Sequence, residues 1–127
     1  MSLNRLHPRY RALIYAALGL LFLSGLLWKT GWERSLLMKI HGAAAMATLV
    51  LLGTLLARHV PAGWSAGTNR VSGVAVLATS AWLSITGYAL YYSGSDLLRY
   101  WAGETHFWIG VGVAAVLCLH LGRSVPA

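Results

Sequence analysis

Acid is the scarcest component of this chain. Three Asp and Glu residues in 127 leave no carboxylate dyad for acid–base catalysis, and Glu33, Asp96 and Glu104 all fall between apolar runs. Cysteine is limited to Cys118, which rules out an intrachain disulfide; the lack of a CxxCH sequence likewise excludes covalent c-type haem. Lying deep in the last apolar run, Cys118 reads as a small buried hydrophobe. No nucleophile–base pair and no phosphate-binding loop is present. Charged residues make up 10% of the chain, against about a quarter in soluble domains, so a water-facing globule is excluded too.

What is abundant is apolar length. Hydrophobic residues form 57% of one domain-sized chain, and they gather into four runs: about 12–28, 36–59, 71–92 and 105–122. Each approaches the roughly 20 residues that a bilayer requires. The predicted fold is all-α, an integral membrane four-helix bundle of up-down topology. Residues 1–11 are basic, but the run that follows is longer than a signal-peptide core and ends at Trp28, Lys29 and Trp32, so it is read as a retained first span. Pro61 is expected to stop the second span, with 62–69 a small-residue loop. Residues 96–104 are expected to form a short segment in the headgroup plane ahead of the fourth span.

The net charge of +7 does not gather into a nucleic-acid patch, because the basic residues sit between apolar runs as membrane anchors do. With four spans, Arg5, Arg9, Arg11, Arg58, Arg70 and Arg123 share the side of the termini, and Lys29, Arg34, Lys39 and Arg99 share the other. The bias of six bases to four places both termini in the cytoplasm, as expected of a multi-pass protein of a bacterial inner membrane.

Two histidine pairs carry the chemistry. At about 100° per helical residue, the 18-residue step from His41 to His59 returns to one bearing, and the 14-residue step from His106 to His120 returns to within about 40° of its own. Spans two and four run in the same direction, so His41 and His106 share the outer level, and His59 and His120 the inner. Each level then offers one imidazole from each of two helices, the set that six-coordinate haem iron requires. Proton relays are the competing use of intramembrane histidine. Ala45 and Gly110, one turn beyond the outer pair, and Gly42 and Gly112 leave room there for a flat macrocycle. The inner level is less matched: His41 to His59 spans about 27 Å and His106 to His120 about 21 Å, so a strong tilt, a loosened helix end before Pro61, or His7 in place of His59 would be needed.

Met38 and Met46 have axial-ligand chemistry but read as apolar filler. Lys39, Arg34 and Arg99 outside, and Arg58, Arg70 and Arg123 inside, are candidate propionate partners or snorkelling anchors. In the third span Ser72, Thr79 and Thr86 recur every seven residues beside Gly73, Ser80, Gly87 and Gly94. This stripe suits close helix packing or a cofactor-facing surface and is assigned no chemistry.

The stretches LLMKIHGAAAMATLVLLGTLLARHV (36–60), TGYALYY (86–92) and GETHFWIGVGVAAVLCLHLGR (103–123) resemble the prokaryotic cytochrome b561 family and its small four-helix relatives. The likeness covers nearly the whole chain, with histidine placement its diagnostic part; the His41–His59 gap is wider than that family's usual spacing. It implies one or two b-type haems on His41, His106, His59 and His120, the outer pair being the more secure. It also implies electron transfer with quinone or a redox protein, such as a cytochrome or a dehydrogenase subunit. Two other functions compete: a non-catalytic membrane anchor or assembly subunit of a larger redox complex, in a homo- or hetero-oligomer, and a small transporter. The spans carry no midplane acid, which ranks the transporter last.

Overall fold

The computed structural model describes residues 7–67 and 70–122. Among them are four α-helices and no strand: α1 (Pro8–Trp28), α2 (Arg34–Ala66), α3 (Arg70–Tyr92) and α4 (Asp96–Gly122). All four are long and apolar enough to cross a membrane, so the chain is an all-α, multi-pass membrane protein. They form two compact units divided at residues 68 and 69, the first an α1–α2 hairpin and the second an α3–α4 hairpin.

The apolar surface explains why water is the wrong solvent. Large side chains such as Val71, Met46 and Val50 are exposed, and among the described residues no large side chain is fully buried. A soluble monomer does not tolerate contiguous apolar exposure on that scale, whereas helices in lipid satisfy their backbone internally and show apolar side chains outward. Met38 and Met46 are among the exposed residues.

In the first hairpin, Pro8 opens α1, where its missing N–H costs nothing, and His7 caps the end by accepting from the Arg9 N–H at 3.3 Å. The chain reverses over 29–33, helped by Gly31 at φ 77°. Ile14, Ala17 and Ser24 of α1 are buried, as are Leu37, Ala44 and Thr48 of α2. With His41, the α2 residues step by four, three and four, the spacing of a helix–helix seam. At the other end the Tyr10 hydroxyl bonds the Leu51 carbonyl at 3.2 Å and the Thr54 hydroxyl.

Helix α2 corrects one expectation. It does not stop at Pro61 but carries the proline inside it and ends at Ala66, where Gly67, at φ 72°, returns its N–H to the Trp64 carbonyl. The proline costs the helix one donor, but 62–66 contain no further breaker of that kind. The left-handed glycine is the stop.

In the second hairpin the turn is 93–95. The Ser95 hydroxyl accepts from the Leu98 N–H at 3.3 Å, an N-cap bond, and Asp96 lies in the first turn, where the helix dipole favours negative charge. This corrects the second expectation: 96–104 is not a separate interfacial segment but the opening of α4. Thr105, the expected first residue, is already interior, and its hydroxyl bonds the Trp101 carbonyl at 2.8 Å. Cys118 corrects a third. It is exposed rather than buried, on an outward face of α4.

Candidate functional site

Three of the four expected histidines are held in the same way. Ser24 of α1 bonds His41 of α2, Oγ to Nδ1 2.9 Å. Thr86 of α3 bonds His106 of α4, Oγ1 to Nδ1 2.9 Å. Ser72 of α3 bonds His120 of α4, Oγ to Nδ1 3.0 Å. The hydroxyl residues are buried and the rings half-buried.

A glycine follows each hydroxyl residue and meets the same ring. A Cβ built on Gly25 would lie 3.6 Å from His41 Cε1, one on Gly87 3.5 Å from His106 Cε1, and one on Gly73 3.7 Å from His120 Cε1. Each imidazole therefore rests edge-on against bare backbone while its Nδ1 is tied to the neighbouring hydroxyl. The hydroxyl–glycine dipeptide is a clasp: one residue orients the ring and the next leaves space for it.

The spacing explains why α3 and α4 carry two clasps. Ser72 and Thr86 are 14 residues apart, as are His106 and His120, so two antiparallel helices keep register at both ends. Thr79, midway, turns its hydroxyl to its own helix, bonding the Ala75 carbonyl at 2.8 Å.

The first hairpin repeats this only once. Shifting α1 by 62 residues and α2 by 65 lays Ser24-Gly25 on Thr86-Gly87 and His41 on His106. The buried Leu37 falls on the buried Ala102. The same shift lays Tyr10-Arg11 on Ser72-Gly73, and Leu55 on His120. His59 stands one turn beyond the position that would match His120, in the last third of α2. His7, the alternative to it, is exposed at the N-cap of α1.

Of the clasping hydroxyls, the sequence points to Ser72 and Thr86 only as part of a small-residue stripe without chemistry, and not to Ser24. The signal was present for α3, whose seven-residue stripe contains both of them, and in α1 as its one Ser-Gly dipeptide.

Other expected features divide. A Cβ on Gly112 would meet nothing within 4 Å, leaving that face of α4 open, but one on Gly110 would lie 3.8 Å from Leu83 Cδ2. Gly110 therefore faces Leu83 of its own hairpin. Arg5, the Arg58 side chain and Arg123 lie outside the described residues. Among the described residues no three His, Cys, Asp or Glu side chains converge as a metal-ion site, and His41, His106 and His120 are each anchored separately.

The donor set fits haem iron. A metal-bound histidine ordinarily gives its second ring nitrogen to a hydrogen-bond partner, which fixes tautomer and orientation, and that partner is present for His41, His106 and His120. Neutral imidazoles on apolar helices are the axial ligands of b-type haem, and glycine beside them suits a planar group. Comparison of the chain with protein-family models, curated proteins and solved structures finds no match.

Proposed function

We propose that this chain is a membrane-embedded b-type cytochrome that carries electrons between quinone or a redox protein on one side of the bilayer and an acceptor or donor on the other. One observation carries the reading: His41 and His106 occupy matching register positions in the two hairpins, each clasped by a hydroxyl–glycine dipeptide at 2.9 Å. His41 and His106 would hold one haem, and His120 with His59 a second where two are bound. Haem b, when bound, supplies a one-electron couple. The chain's own residues hold the rings, keep their lone pairs on one nitrogen, and exclude water with the apolar helices around them. The family likeness, the cytoplasmic termini and the bacterial inner membrane belong to this same reading.

An anchor or assembly subunit for a partner redox enzyme is the second reading. The short reversals at 29–33 and 93–95 favour it, since neither offers a folded surface for substrate.

The test is haem per chain by pyridine haemochrome on protein expressed with haem supplied. The expected result is a Soret band and a reduced α-band of b type, lost in His41→Ala and His106→Ala. A ratio near two that falls to one in His59→Ala and His120→Ala supports the second site. Wild-type protein without a Soret band overturns the proposal.

A further inference from the structure

The hydroxyls of the clasps have only one hydrogen each, and its destination decides the state of the histidine. Ser24 Oγ donates to the Leu20 carbonyl at 2.5 Å, and Thr86 Oγ1 donates to the Trp82 carbonyl at 2.8 Å, each one turn back in its own helix. With that hydrogen committed, the oxygen can only accept from the imidazole. On that assignment Nδ1 of His41 and of His106 carries the ring proton, and Nε2 carries the lone pair. Ser24 and Thr86 are 4% and 5% exposed, so water does not replace either oxygen.

We infer that Ser24 and Thr86 are positioning residues for axial ligation, fixing the Nε2 lone pair and setting how strongly each imidazole donates to iron. The inference rests on the haem reading above and deepens it. Accepting the Nδ1 proton raises the basicity of the ligating nitrogen and so favours the ferric state. A hydroxyl does this less than a carboxylate, because it brings no charge. Removing the hydroxyl weakens donation and raises the reduction potential; exchanging Ser for Thr keeps the oxygen and leaves the potential where it was.

Two measurements test this. The first is the 15N spectrum of histidine-labelled full-length protein prepared without haem. His41 is expected in the Nδ1–H tautomer in wild type and in Ser24→Thr, but mixed or Nε2–H in Ser24→Ala; His106 follows Thr86 in the same way. The second is redox titration of the haem-loaded protein. Ser24→Ala is expected to lower the ferric preference up to tenfold, about 59 mV for a one-electron couple, while Ser24→Thr and Thr86→Ser match wild type. Unmoved tautomer and potential in a protein that binds haem overturn this inference alone. So does Ser24→Thr behaving like Ser24→Ala, which would mean packing rather than the hydroxyl. A wild type that binds no haem overturns the haem reading and this inference together, with the tautomer pattern then reporting only local structure.

Discussion

Gly87 offers the sharpest test of the clasp as geometry. A Cβ there would stand 3.5 Å from His106 Cε1, an ordinary van der Waals contact, so Gly87→Ala is expected to fold and to keep the ring in place. Valine is different. It adds two γ-carbons about 1.5 Å further out, held in essentially one rotamer in a helix. With the ring already in contact, an extension of that length does not fit unless the imidazole swings, and swinging breaks the 2.9 Å bond to Thr86. Overpacking of this kind costs about 1–3 kcal/mol, and the lost hydrogen bond adds about 1 kcal/mol. The expected loss is therefore about 2–4 kcal/mol of hairpin stability, together with haem affinity. Gly53 supplies the control, since a Cβ there meets nothing within 4 Å and Gly53→Val lacks this cause of damage. The assay is unfolding of purified protein in mixed micelles by SDS titration, followed by circular dichroism and, where haem is bound, by the Soret band. Gly87→Val behaving like wild type, or Gly53→Val proving as harmful, would refute the argument.

Two smaller predictions concern stability alone. Thr48 Oγ1 is buried without a hydrogen-bond partner, against a cavity of about 20 Å³ lined by apolar side chains that include Ile14, Leu18 and Leu52. Replacing an unsatisfied hydroxyl by a methyl of the same shape recovers about 1–3 kcal/mol of desolvation cost, so Thr48→Val should raise the SDS midpoint, and a lowered midpoint would show that the oxygen has a partner. Ser95→Ala removes the N-cap of α4 and should cost about 1 kcal/mol. Amide exchange then speeds in residues 97–99 and is unchanged at 110–115; equal loosening along the helix would contradict a local cap.

Hydropathy made the four helices legible, because a bilayer demands length and leaves few alternatives. It did not make their ends legible. Pro61 reads as a stop when weighed as a lost donor, yet Gly67, a residue with left-handed freedom, is what ends α2. Likewise Asp96 and Ser95 are the cap of α4, but the charges of Arg99 and Glu104 obscure a helix that begins nine residues before Thr105. Cys118 shows another limit: position in an apolar run gives depth, whereas exposure depends on azimuth, and a helix apolar on every side carries little azimuthal information. The histidine positions were readable from the 14-residue step. Their partners were half-readable, since a serine or threonine in a transmembrane helix looks like packing until an imidazole lies opposite it.

The two hairpins are alike enough for their difference to carry meaning. Where the second hairpin has Ser72-Gly73 facing His120, the matching positions of the first hold Tyr10-Arg11 and Leu55. There the Tyr10 phenol reaches across to the Leu51 carbonyl and the Thr54 hydroxyl, so a side-chain tie between α1 and α2 stands where the second clasp would be. His41 and His106 are thus equivalent by construction, while His120 has no equivalent and His59 stands one turn out of register. Under the haem reading this separates the two levels chemically. His41 and His106 would be ligands of like character, each with a buried hydroxyl at 2.9 Å and a glycine beside the ring. His59 and His120 would be ligands from non-equivalent positions: His120 is held by Ser72, whereas His59 stands one turn beyond the matching position of α2.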